Sequence, residues 1–205
     1  MAHKVVNVQD LHTSATNLYN NVVVGGGEAS ADSILNNLYL GIENLKANWK
    51  GKDAGYRIQE VINVYNAMVS VRNALAELSV ESSKVANMYR DIQNANGAGL
   101  DDLTILTFDA KVNLEEYTDN ADTIDINEEV NTGKNHIDLA NGSMDSFLND
   151  VRTKYTEIMD NWTEGPGRDV ATEAFDSFIN NVGEYQQVLS EVSNNITIAL
   201  QNYAL

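Results

Sequence analysis

The residues able to ligate a metal or move a proton are few and scattered. The 205-residue chain has three histidines, His3, His12 and His136, and no cysteine. None of the histidines belongs to a Glu-x-x-His pair, so the ligand set of a di-iron helical bundle is missing. Asp122, Asp125, Asn127 and Glu129 crowd together and raise the idea of a calcium loop. That run lacks a glycine at the sharp-turn position of the known calcium pattern, and we read it as a solvated acidic segment. Gly25-Gly26-Gly27 is not followed by Lys-Ser/Thr, and Gly165-Pro166-Gly167 lacks both the strand and the spacing of a phosphate-cradling loop. With no thiol and no histidine motif to activate a serine, no constellation carries nucleophilic chemistry. We therefore expect no enzyme, no cofactor and no bound metal, and look for function in the surface.

Charge narrows the partners. Thirty acidic residues against 13 basic give a formal charge of −17, which repels a phosphate backbone, so nucleic acid is not expected to bind. The acids are expected on solvated helix faces. The N-terminal stretch lacks the long apolar run of a cleavable signal peptide, and no window approaches the roughly 20 apolar residues that span a bilayer. Sec-type export and a membrane span are therefore not expected. A chain without cysteine suits the reducing cytosol or an exported protein held by packing alone, and the compartment stays open.

The elements that would position any functional surface come from an internal repeat. Trp49 and Trp162 lie 113 residues apart, and Ser30 to Asn36 is echoed by Ser143 to Asn149 at the same offset. Leu35, Leu38, Ile42 and Leu45 precede the first Trp at helical spacing, as Leu148, Val151, Tyr155 and Ile158 precede the second. Beyond the turns the offset becomes 114: Val61, Val64, Tyr65, Met68, Leu75 and Leu78 answer to Phe175, Phe178, Ile179, Val182, Leu189 and Val192. This is a helical stripe and not strand alternation.

The periodicity predicts an all-α fold of two tandem helical hairpins, joined into an elongated intramolecular four-helix bundle, with a short extra helix before each hairpin. Residues 1–97 form the first hairpin unit, 98–125 a linker and 126–205 the second. Asn7, followed three residues later by Asp10, reads as a helix N-cap, and Lys111 to Tyr117 is a weaker echo of that start. Ser30 and, after Asn141-Gly142, Ser143 are expected to cap the next helices. Gly51 and Gly55, or Gly165-Pro166-Gly167, are expected to reverse the chain. The long second helices are predicted from about residue 53 to 93 and from about 168 to 203. The linker is expected to be irregular, with a helical turn.

A helix, Trp49-Lys50-Gly51 and a longer helix, present twice in about two hundred residues, resemble the WXG superfamily of helical hairpins associated with type VII secretion. The likeness covers residues 30–93 well and 143–203 less well, because the second turn is stretched to Trp162-Thr-Glu-Gly165-Pro-Gly. It implies two hairpins paired antiparallel, here a pseudo-dimer made covalent, and leaves a further homodimer open. It implies export without a cleavable signal peptide, and protein partners such as a secretion ATPase or a cognate secreted protein. The alternative is a cytoplasmic structural or adaptor bundle. The actinobacterial Tyr-x-x-x-Asp/Glu export signal is absent: Tyr89 is followed at the fourth place by Gln93, and Tyr203 by two residues only. Trp49, Gly51, Trp162 and Gly165 are the candidate turn and partner-binding residues. The Trp rings are expected to serve as core, as a docking surface or as both, and the Gly as the hinge of the reversal.

Overall fold

The structure is a computed structural model that describes residues 4–5, 7–25, 27, 29–164 and 166–202. It is mainly helical, as the periodicity predicts. A short strand β1 (Lys4–Val5) leads into α1 (Val8–Asn17), which loosens into a π-helical run over Leu18–Val23. After a break come α2 (Ala31–Asn48), β2 (Trp49–Lys50) and α3 (Lys52–Ala95). An extended segment then leads to β3 (Asp125–Ile126), α4 (Val130–Asn161), β4 (Trp162–Glu164) and α5 (Pro166–Asn202).

The first half starts its helices where its side chains can cap them. Asn7 accepts from the Asp10 N–H at 3.1 Å, and Ser30 accepts from the Ser33 N–H at 3.2 Å, so each satisfies an orphan donor of a first turn. Leu35, Leu38, Ile42 and Leu45 all face inward from α2. The 44 residues of α3 extend about 66 Å at 1.5 Å per residue. This helix is flanked by α1, α2 and α5, so its apolar residues wrap round several faces instead of forming one stripe.

The second half departs from expectation in its helix boundaries. Ser143 does not cap a helix: it lies inside α4 and its hydroxyl donates to the Leu139 carbonyl at 2.9 Å. No separate short helix precedes the second hairpin, because residues 130–142 run unbroken into the expected one. Gly142 costs a helix interior about 1 kcal/mol relative to Ala. Ile137, Ala140, Met144 and Phe147, all fully buried on one face, outweigh that cost. Lys111 to Tyr117, the expected second copy of a helix start, is extended instead.

α2 packs on α3 and α4, and α5 packs on α3 and α4. The α2–α4 crossing is close because two glycines face each other across it. A Cβ on Gly41 would lie 2.9 Å from Ile137 and 3.2 Å from the Gly133 carbonyl, while one on Gly133 would lie 2.8 Å from Asn44 Oδ1 and 3.1 Å from the Gly41 carbonyl. Asn44 Oδ1 uses the approach to accept from the Gly133 N–H at 3.0 Å. One continuous core joins α1, α2, α3, α4 and α5. Among the described residues no helix is long and apolar enough to cross a membrane.

Candidate functional site

Each tryptophan ends a helix and enters a strand, where its backbone is extended, with φ −135° at Trp49 and −129° at Trp162. The two turns are closed reciprocally. β2 pairs antiparallel with β3, setting Trp49 opposite Ile126, and β4 pairs antiparallel with β1, setting Trp162 opposite Val5. The strand preceding each half's helices therefore closes the Trp turn of the other half. Both rings are buried in the core, Trp49 at 2% exposure and Trp162 at 1%. Trp162 Nε1 donates to the Glu164 carbonyl at 2.5 Å.

Gly51 follows Trp49 at φ +114°, in the region open to glycine, and a Cβ there would meet the Thr123 carbonyl at 3.2 Å. Gly55 takes no part in the reversal. It lies inside α3, where a Cβ would fall 2.6 Å from the Asp119 backbone nitrogen, so its role is to let another segment come close. Gly165, the corresponding site residue of the second turn, lies outside the described residues, and α5 opens at Pro166.

The segment that Gly55 admits is the expected linker. It has no helical turn; residues 98–124 return along α3 as an extended strap held by side chains of that helix. Asn94 accepts from the Leu100 N–H at 2.6 Å and donates to the Leu100 carbonyl at 2.9 Å. Asn73 does the same for Lys111, at 2.9 and 2.8 Å, and Asn66 for Leu114, at 2.8 and 3.1 Å. Gln59 accepts from the Tyr117 N–H at 2.6 Å. Gln59, Asn66 and Asn73 recur every seven residues and their partners every three. Seven helical residues advance about 10.5 Å. Three extended residues advance about 9–10 Å, so the two periods match and each amide meets the backbone of one strap residue.

Charges lock this register. Arg72, 3% exposed, bridges to Asp32 at 3.0 Å, donates to the Asp109 carbonyl at 2.8 Å and lies 5.9 Å from the Phe108 ring centroid. Arg90 pairs with Asp102, Lys52 with Asp122 at 2.6 Å, and His12 Nε2 donates to the Thr104 carbonyl at 2.7 Å. At the far end Asp119 accepts from the Ala121 N–H at 2.9 Å and from the Gly51 N–H at 3.1 Å. These two backbone donors, Ala121 first, hold its carboxyl below the usual carboxylate range. Burial, with Asp119 adding to it, pushes the Tyr117 phenol up.

The acidic run in the strap does not converge. Asp122 binds Lys52, Asp125 lies in β3, and Asn127 bonds Asn48 at 3.2 Å. Among the described residues no group of three or more His, Asp or Glu is placed to hold a metal ion. His136 pairs with Asn37 at 3.1 Å. Open clefts flank the turn region, two of them against α5. One of about 190 Å3 lies against Trp49, Ile124 and Ile198, and one of about 390 Å3 runs between α3 and α5 beside Tyr56 and Tyr185. Sequence reasoning missed the amide ladder, although its sign was present: Gln59, Asn66 and Asn73 at a seven-residue interval along one helix.

Comparison of the chain with family models, with curated proteins and with solved structures gave no match.

Proposed function

We propose that this chain is a non-enzymatic, tandem helical-hairpin protein of a type VII-like secretion system, acting as a secreted substrate or partner module through protein contacts. The observation that carries the proposal is the reciprocal closure of the Trp turns. With β3 on the first turn and β1 on the second, the hairpins α2–α3 and α4–α5 form an intramolecular pseudo-dimer, an elongated four-helix bundle in one chain. Covalent joining replaces a bimolecular encounter with a local concentration of millimolar order, so the pair stays assembled when dilute. Sequence adds the Trp-x-Gly turn between two helices in the first half. A secretion ATPase or a cognate secreted protein would then meet the exposed helix faces, since both Trp rings serve the core.

The test is localisation of the native protein. It is expected in washed culture supernatant and lost from it when the gene for the secretion ATPase is deleted. Retention in the cytosol in both strains overturns export. It would favour a cytoplasmic adaptor bundle, a reading supported by the burial of both tryptophans, which gives the turn motif a packing role that needs no partner.

A further inference from the structure

We propose that the outer face of α5 is a second, vacant amide ladder that binds an extended basic segment of another polypeptide. The inference stands on the internal repeat and the strap, and not on export.

The occupied ladder shows what such a face does. On α3, Gln59, Asn66 and Asn73 hold the strap by its peptide groups, at seven residues of helix to three of strap. At the repeat offset of 114 these positions become Glu173, Asn180 and Gln187 on α5, and the interval continues to Asn194 and Gln201. All five are exposed and the strap is on the other helix; Gln187 donates to Glu191 Oε1 at 2.8 Å, a bond at the surface that an incoming peptide group exchanges for its own. The surroundings repeat as well. Gln186 donates to Asp145 Oδ1 at 3.2 Å, at the α5 and α4 counterparts of the Arg72–Asp32 bridge that flanks the strap. The scaffold beneath the second ladder is therefore built like the first, down to the tie between the hairpin's two helices.

Charge selects the occupant. The strap is acidic, and α3 meets it with Lys52, Arg72 and Arg90. On α5 the counterparts of Lys52, Arg57, Arg72 and Lys84 are Pro166, Ala171, Gln186 and Ile198, while Glu173, Asp176, Glu184 and Glu191 remain. With one arginine and five acids in all, α5 repels a second copy of the strap and attracts a segment rich in Lys or Arg. Amides that read peptide groups tolerate many side chains. The segment needs an extended backbone, no proline where an amide must be met, and apolar residues near the intervals at which Leu114 and Tyr117 half-bury in the strap.

The probe is a labelled synthetic peptide of residues 103–119 carrying Asp109→Lys, Glu115→Lys, Glu116→Lys and Asp119→Lys, titrated against the full chain by fluorescence anisotropy. It is expected to bind at least about tenfold more tightly than the unmodified acidic peptide or the same basic peptide carrying Leu114→Pro and Tyr117→Pro, which removes N–H groups that the amides meet. The triple variant Asn180→Ala, Gln187→Ala, Asn194→Ala, with its helical circular dichroism unchanged, is expected to lose about tenfold or more of that affinity. The pair Asn66→Ala, Asn73→Ala is expected to lose none. Equal binding of the proline-bearing peptide, or unchanged affinity in the triple variant, overturns the ladder. Affinity for the acidic peptide equal to that for the basic one overturns the choice of occupant and points to the strap of a second copy. If only the Asn66/Asn73 pair alters binding, the peptide is displacing the strap on α3 and the α5 site does not exist.

Discussion

At the scale of single residues, the tightest constraints are on glycines and on one arginine. Gly133→Ala places a methyl 2.8 Å from Asn44 Oδ1 and 3.1 Å from a backbone carbonyl, and the carbonyl cannot turn away. The helices must part, at an expected cost of about 1–3 kcal/mol, read as a lower urea midpoint with an unchanged slope. Gly142→Ala, with nothing near its Cβ, is expected to stabilise by up to about 1 kcal/mol. Arg72→Met leaves Asp32 without its partner and the Asp109 carbonyl without a donor. Asp32 is partly hydrated, so the expected loss is about 2 kcal/mol in place of the full cost of a buried orphan charge. Asp119 sets a pH limit. Its folded pKa lies below the ordinary value of 3.8, so its contribution is complete above that value and is lost as pH falls through the lower, folded one. On acidification the Gly51 and Ala121 amide resonances should shift together, a titration that Asp119→Asn abolishes.

At the scale of elements, the strap is the feature the sequence concealed. Asn and Gln in a long helix register as a loss of helix propensity, and their seven-residue spacing acquires meaning only once a partner with a three-residue period lies beside them. Helix starts at Asn7 and Ser30 were legible because a cap is a local event: the side chain and the N–H it serves are three residues apart. The uninterrupted α4 was illegible for the opposite reason. Gly142 and Ser143 look like a break locally, and only the burial of Ile137, Met144 and Phe147 against distant helices removes it. Of the candidate site, the Trp turns were legible as turns, whereas the strands that close them come from more than 70 residues away in sequence. The double variant Asn66→Ala, Asn73→Ala removes four hydrogen bonds to the strap. With partial access of water, about 2 kcal/mol of docking is expected to be lost. Limited proteolysis should then cut within residues 105–118 well before the helices melt, whereas the native chain is expected to resist cleavage there.

At the scale of the whole molecule, the halves depend on each other. The first turn lacks its strand without residues 125–126, and the second lacks its own without residues 4–5. Trp162→Ala should cost about 3–5 kcal/mol, and because one core runs through all five helices the loss should appear as a single earlier transition, not as melting of one half. Two separate transitions in calorimetry would show instead that the hairpins are independent units. The strap fixes the direction of this pairing. By spanning α3 from Asn94 to Gly51 it delivers the chain to the end of α2 where α4 must begin.

The clasp between Val5 and Trp162 has a consequence for biosynthesis. Those two residues lie more than 150 positions apart in the order of synthesis. At the usual rates of about 5–20 residues per second, Val5 is joined to the chain roughly 8–30 s before Trp162. During that interval the nascent chain holds an unpaired edge and the uncovered flank of the first hairpin, the condition under which holdase chaperones bind. The edge of β1 and the exposed flank of the first hairpin are thus covered only once β4 and α5 have been added.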